Sequence, residues 1–205
     1  MALRPAAPVK PPTDLVILEI AADHIRRFGV ERTTVTGIAE EAGMSHANVY
    51  RYYPSKTALI DEITAGWLKA LETGLRSIAD APDPAFDKLE RLIFAIHRTY
   101  RDKLDSDPNI FSLFVEATAK GTSVARKHRS RIELEIQRIL DEGASGGVFE
   151  ISDMRKALAL VCDALHKFIH PCAMSLDVGM ARATLEDRAG FVATLVLAAL
   201  AGGRA

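Results

Sequence analysis

Between Thr33 and Lys56 the chain reads TTVTGIAEEAGMSHANVYRYYPSK, an order of residues that few local structures can satisfy. Thr34 or Thr36 caps a helix, on which Ile38, Ala39 and Ala42 form an apolar stripe at helical spacing. Gly43 can take the left-handed conformation that closes a helix, and Ser45, two residues on, caps a second one. That second helix runs through Val49 to about Tyr53, with those two anchors four apart on a core-facing side. His46, Ala47, Asn48, Tyr50, Arg51 and Tyr52 are left facing outward. Pro54 stops the helix, and Ser55 caps a third segment at Lys56, whose ammonium sits beside a helix start where phosphate is also welcome. Three of the chain's four tyrosines fall between Tyr50 and Tyr53, more than core packing requires. Phenol hydroxyls donate to phosphate oxygens, while His46 and Asn48 can reach base edges in a major groove. The expected local structure is therefore a helix-turn-helix.

Upstream, Leu15, Leu18, Ala22 and Ile25 recur at three and four, with Ile17, Ala21 and Phe28 on an adjacent row. They predict a helix from Thr13 to Phe28 that Gly29 ends and that closes a three-helix core with Ile38, Val49, Tyr53 and Leu59. Downstream, Leu59, Ile60, Ile63, Trp67, Leu71, Leu75 and Ile78 predict one long helix from Lys56 to about Ala79. Pro82 and Pro84 break it. Helices are then expected over 86–105, 108–120, 122–142, 153–171 and 185–201, with a loose turn at 143–147 and no strand pattern. The expectation is an all-α chain: an arm at 1–12, a helix-turn-helix domain at 13–61, and a helical ligand-binding and dimerisation domain at 62–205.

Charge narrows the partners. The net charge of −1 excludes a wholesale nucleic-acid coat, and the first 60 residues hold seven Lys/Arg against six Asp/Glu. DNA binding would have to come from local placement of charge. Two cysteines, Cys162 and Cys172, are too few for a disulfide framework and point to a reducing compartment, here the cytoplasm. The N-terminus, MALRPAAPVKPP, has four prolines and no uninterrupted apolar centre, so it reads as a flexible arm whose Arg4 and Lys10 could touch DNA. The longest apolar run, 191–203, is too short to span a bilayer.

Ala39, Ala42-Gly43, Ser45, Tyr50, Tyr53-Pro54-Ser55-Lys56 and Leu59, with Phe28-Gly29 and Thr33-Thr34 before them, resemble the N-terminal domain of the tetracycline-repressor (TetR) family over roughly residues 14 to 62. The resemblance implies a three-helix DNA-binding module, a connecting helix, and a helical domain that dimerises and often binds a small effector. Carried over by position, it places Thr34, Thr36, Tyr50, Tyr52 and Lys56 at phosphates, and Ser45, His46, Ala47 and Asn48 at the groove-facing start of the recognition helix; the outward-facing Arg51 is a further candidate DNA contact from its place on the helix. Gly37 departs from the family pattern, which often has a charged or polar side chain there. Residues 143–171 resemble one of the C-terminal domain types of the same family. The implied partners are a palindromic double-stranded operator and a small-molecule effector, and the repressor sign rests on the resemblance.

Within the helical part, the last two helices are apolar on more than one face, through Leu158, Leu160, Val161, Leu165, Phe168 and Ile169 in one and Phe191, Val192, Leu195, Val196, Leu197 and Leu200 in the other. Pairing them with a second copy predicts a homodimer. Trp67, His97, Tyr100, Phe111, Phe114, Cys162 and His166 are candidates for an effector pocket suited to a mostly apolar ligand with one or two polar groups. Cys162, His166 and His170 recur at i, i+4 and i+8, which raises a metal-responsive alternative, although three ligands over about 12 Å of helix do not share one ion. No metal, cofactor or catalytic residue is assigned. The chain has no phosphate-cradling glycine loop, His-Glu-x-x-His or nucleophile elbow, and Asp163 with His166 lacks a neighbouring nucleophile. A protein-binding helical adaptor using the same exposed tyrosines is the remaining alternative to a regulator.

Overall fold

The computed structural model describes residues 13–203; the arm expected at 1–12, with Arg4 and Lys10, lies outside the described residues. Within that range the chain forms eleven α-helices and one 3₁₀ turn, and no strand. It divides after Ile63 into two compact units.

The first unit is built by α1 (Thr13–Arg32), α2 (Val35–Glu41), α3 (His46–Tyr52) and the start of α4 (Lys56–Ala79). Helical assignment in α1 continues past the expected end, but Gly29 interrupts it with φ 76° and ψ 166°, a backbone conformation that only glycine adopts without strain. The buried row of α1 is Ile17, Ala21 and Ile25. Leu15 and Phe28, both assigned above to apolar rows, are instead 53% and 49% exposed. Phe28 lies on the surface, packed edge-on to the His24 ring and beneath the Arg27 guanidinium. Val35, Ile38, Ala39, Val49 and Leu59 complete the core. Each of the larger side chains contributes about 1.5–3 kcal/mol by leaving water.

The turn between α2 and α3 is fixed by side-chain caps. Thr34 Oγ1 accepts from Gly37 N (3.1 Å), and Ser45 Oγ accepts from Asn48 N (3.2 Å). Each such cap contributes about 1 kcal/mol. Gly43, at φ 63°, makes the reversal between the helices. Gly37 has a spatial reason. A Cβ there would lie 3.3 Å from His24 Cε1 and 3.3 Å from Thr34 Oγ1, tighter than side chains ordinarily pack. The bare glycine leaves room for His24 to pair with Glu41 at 2.6 Å, while Arg27 reaches the same carboxylate at 2.8 Å.

The second unit contains the rest of α4, then α5 (Ala85–Ser106), α6 (Pro108–Ala119), α7 (Ser123–Ser145), α8 (Met154–Ala164), α9 (His166–Ile169), α10 (Pro171–Met174), a 3₁₀ turn at Ser175–Asp177, and α11 (Arg182–Ala201). Its core is mostly aliphatic, with Leu68, Leu75, Leu89, Leu92, Ile93, Ile96, Ile136, Ile139 and Val161 all buried, joined by Tyr100, Phe111, Phe114, Phe149 and Phe168. Lys88 is also buried. Its ammonium donates to the carbonyls of Ala79 (3.1 Å) and Ala81 (3.0 Å) and pairs with Glu142, so one side chain caps the end of α4 and ties it to α7.

Two expectations fail here. The helix expected over 153–171 is three short helices, because the backbone leaves helical geometry at Leu165 and again at His170 before Pro171. The loose turn expected at 143–147 is in part helix, since α7 continues to Ser145. A glycine inside a helix is costly, but Gly143 has a reason to be there: a Cβ would lie 2.1 Å from Phe149 Cδ2, so the buried Phe149 ring occupies the missing side chain's place.

Candidate functional site

In the first unit, α3 presents one exposed and one buried side. Val49 is buried, whereas His46, Ala47, Tyr50, Arg51 and Tyr52 are exposed and Asn48 is half-buried. The exposed groups are ordered by one another. The rings of His46 and Tyr50 meet edge-on at 4.6 Å between centroids, and Arg51 donates to the Tyr52 hydroxyl at 3.2 Å while its guanidinium lies 5.2 Å from the same ring. That hydrogen bond from Arg51 lowers the Tyr52 phenol from its ordinary range. Asn48 Nδ2 reaches Met44 Sδ at 3.7 Å, a weak contact that leaves its amide free to form stronger bonds. Thr34, Thr36 and Ser45 are exposed. In Thr34 and Ser45 the cap uses a hydroxyl lone pair, which leaves the O–H proton to donate outward.

Lys56 and Tyr53 are more constrained than the sequence suggests. Lys56 is half-buried, and its ammonium donates to the Val30 carbonyl at 2.6 Å, closing the end of α1 and leaving two donors. The Tyr53 hydroxyl donates to the Asp14 carbonyl at 3.2 Å, and burial raises its phenol above the ordinary range. Both groups hold the module together before they can hold anything else.

In the second unit a cavity of about 430 Å³ opens among α5, α6, α7 and the α8–α10 segment. Of the candidate pocket residues, Tyr100, Phe114, Cys162 and His166 line it, and Trp67, His97 and Phe111 do not. Trp67 packs behind the wall, 5.5 Å from the Phe114 ring and 6.2 Å from Tyr100. Phe111 is buried beside them, and His97 is buried with Nδ1 on the Phe168 carbonyl at 2.9 Å. The α7 contribution, Ala125, Arg126, His128, Arg129, Ile132 and Glu133, escapes sequence reasoning because most of it reads as a solvated helix face. A signal exists: Ala125, His128, Ile132, Glu135, Ile136 and Ile139 follow helical spacing, placing a histidine and a glutamate within an apolar stripe.

A hydrogen-bonded relay runs through the wall. The Tyr100 hydroxyl is 2.7 Å from His128 Nε2, His128 Nδ1 is 2.8 Å from Glu72 Oε1, and Arg131 pairs with the same carboxylate. Burial lowers His128 despite its carboxylate partner, so the ring is neutral near pH 7. Burial also raises the Tyr100 phenol far above its ordinary range, with the Glu72 charge adding to the effect. The charged residues at the wall balance, Arg126 and Arg129 against Glu133 and Asp163, and Arg129 is bonded to Glu133 at 2.7 Å.

Cys162, His166 and His170 do not share one helix, because the break at Leu165 separates the cysteine from the histidines. The rings of His166 and His170 stack at 4.3 Å. Among the described residues no group of three or more His, Cys, Asp or Glu is arranged to hold a metal ion. Burial pushes the Cys162 thiol up to about 11. At pH 8 its thiolate fraction is then on the order of a thousandth, against about a quarter for an ordinary cysteine. Iodoacetamide labelling followed by mass spectrometry is expected to modify Cys162 more than tenfold more slowly than a free cysteine peptide; labelling at the peptide's rate would contradict the burial described.

The sequence and the fold have known counterparts. The model described as "Bacterial regulatory proteins, tetR family" matches residues 17–63, and "Tetracyclin repressor-like, C-terminal domain" matches residues 85–189, just over half of the chain. The chain is 33% identical over 79 residues to the HTH-type transcriptional repressor KstR2 of Mycobacterium tuberculosis, a stretch amounting to 38% of this chain and 40% of that protein. The match thus spans about two fifths of that curated relative's length. KstR2 of Rhodococcus jostii is 26% identical over 148 residues, 70% of each chain. Among solved structures, the TetR family regulator PfmR from Thermus thermophilus superposes with a TM-score of 0.59 at 26% identity, over 89% of this chain and 97% of that one. The fatty acid degradation regulator FadR from Bacillus halodurans does so with a TM-score of 0.66 at 20% identity, over 92% and 96%. With a helix-turn-helix module and a helical C-terminal domain each matched by its own family model, the chain belongs to the TetR family of bacterial regulatory proteins.

Proposed function

We propose that the protein is a sequence-specific DNA-binding transcriptional repressor released from its operator by a small molecule held in the cavity. The observation that carries this reading is α3: a seven-residue helix capped at Ser45, with Val49 buried and His46, Ala47, Tyr50, Arg51 and Tyr52 exposed together. Ser45, His46, Ala47 and Asn48 face the groove, where His46 and Asn48 read base edges, and Thr34, Thr36, Tyr50, Arg51, Tyr52 and Lys56 meet phosphates. KstR2, with which the chain shares a third of its residues over the matched stretch, is named as a repressor, which supports the sign. The protein acts in the cytoplasm and is a regulator rather than an enzyme.

The reading includes a homodimer. Phe191 and Leu195 sit one turn apart on α11 and are 68% and 54% exposed in the single chain, an apolar pair that a second copy would cover. Two recognition helices related by a two-fold axis fit half-sites roughly 34–36 Å apart.

A fluorescence-anisotropy titration against the duplex upstream of the coding region, at two salt concentrations and with a shuffled duplex as competitor, tests the proposal. Tight, salt-dependent binding that shuffled DNA does not displace is expected. Equal binding of both duplexes, and of every fragment selected from genomic DNA, would sink it and favour a protein-binding adaptor.

A further inference from the structure

The hydrogen-bond polarity of the relay decides what chemistry the cavity can recognise. The Glu72 carboxylate, paired with Arg131, is the acceptor, so His128 donates to it from Nδ1. The neutral ring then has a bare Nε2, which can only accept, and so the Tyr100 hydroxyl must donate to His128. With its proton committed, the Tyr100 oxygen keeps only lone pairs, and both Tyr100 and His128 line the cavity. A carboxylate two hydrogen bonds away thus makes the buried phenol an obligate acceptor.

We infer that the cavity selects a compact, uncharged, largely apolar ligand bearing a hydroxyl group, a phenol or alcohol, that donates to the Tyr100 oxygen. The inference rests on the reading above that this cavity is the effector site. Size agrees: about 430 Å³ lies toward the small end of ligand pockets and suits one or two rings. Phe114, Ile132 and Ile169 supply apolar wall for the rings. An anionic ligand fails on two counts. It offers no proton to Tyr100, and it adds a negative charge to a relay that already ends in Glu72, while of the two cavity arginines Arg129 is bonded to Glu133 and Arg126 to the Gly121 carbonyl. An ether of the same shape fails on the first count alone, because two acceptors would face each other without water.

The test compares four probes of one shape on the full-length protein: β-naphthol, β-methoxynaphthalene, naphthalene and β-naphthoate. Trp67, the single tryptophan, packs on Phe114 in the cavity wall and reports occupancy by fluorescence quenching, with thermal shift as an independent readout. β-Naphthol is expected to bind about tenfold or more tightly than each of the other three. Tyr100→Phe, which keeps the ring, is expected to erase its advantage over naphthalene, and Glu72→Gln, which no longer fixes the relay's direction, to narrow the gap to β-methoxynaphthalene. Equal or tighter binding of β-naphthoate or β-methoxynaphthalene by the wild-type protein overturns the inference, and so does the absence of binding by all four at millimolar concentration. The probe ranking needs neither variant to fold. Operator binding is measured separately without probe, so specific DNA binding with a reversed ranking removes this inference and leaves the regulator, whereas loss of DNA specificity removes the regulator.

Discussion

Replacing His46 and Asn48 together with alanine is expected to weaken operator binding by about 2–6 kcal/mol, since each side chain reading a base edge contributes about 1–3 kcal/mol. In an anisotropy titration that is a rise in Kd of roughly thirtyfold to twenty-thousandfold, confined to the specific sequence. Binding to shuffled DNA should change little, because base-edge contacts are lost only where the matching bases are present. Arg51→Ala is the contrasting case. It should weaken binding to both duplexes alike and lower the salt slope by about one, the mark of a lost phosphate contact. The protein's own geometry makes the comparison clean. Val49 alone of the α3 residues is buried, so substitutions at 46, 48 and 51 leave the packing of the module intact. A double variant that kept full specificity would place the reading of DNA elsewhere in the chain.

The largest stability effect is expected where α7 ends. Phe149→Ala empties a buried ring's place and should cost about 3–5 kcal/mol. Gly143→Ala drives a methyl group into that ring, where contacts of 2.1 and 2.5 Å force the ring or the helix to move, at a cost of about 1–3 kcal/mol. The two changes should not add. Once the ring is gone, the three atoms nearest a Cβ at 143 are gone with it and alanine improves the helix by up to about 1 kcal/mol, so the double variant should be no less stable than Phe149→Ala alone. Denaturant unfolding followed by circular dichroism measures all three. Additive losses would mean that the close approach of Gly143 and Phe149 does not govern this corner.

These two regions also mark what is legible in the sequence. The DNA-reading module is readable because each of its devices is local: the caps at Thr34 and Ser45 and the reversal at Gly43 each act within three residues of themselves. The helix at 143–145 is misread because its reason is not local. A glycine cluster spells a turn until Phe149 folds back over it. The break at Leu165 has no glycine or proline to announce it, and Pro171 marks only the later one. At the cavity, aromatic, histidine and cysteine residues at helical spacing draw notice, and Tyr100, Phe114, Cys162 and His166 do reach the wall. Trp67, His97 and Phe111 satisfy the same criterion and pack behind or away from it, because spacing fixes which side of a helix faces inward and not whether space is left there. Glu72 is missed for the opposite reason. On α4 it looks like a solvated carboxylate, and only His128 and Arg131, 56 and 59 residues later, give it a use.

The empty place at Gly37 makes two distant positions a single design variable. With His24 reaching across to Glu41 and its ring edge 3.3 Å from where a Cβ at 37 would stand, an engineer who grafts another family member's α2 onto this scaffold brings a side chain into occupied space. In such a graft His24 gives way by a few tenths of an ångström or its α1 partner comes along. Swapping α3 alone leaves this contact untouched, whereas an exchange that includes α2 is coupled to position 24.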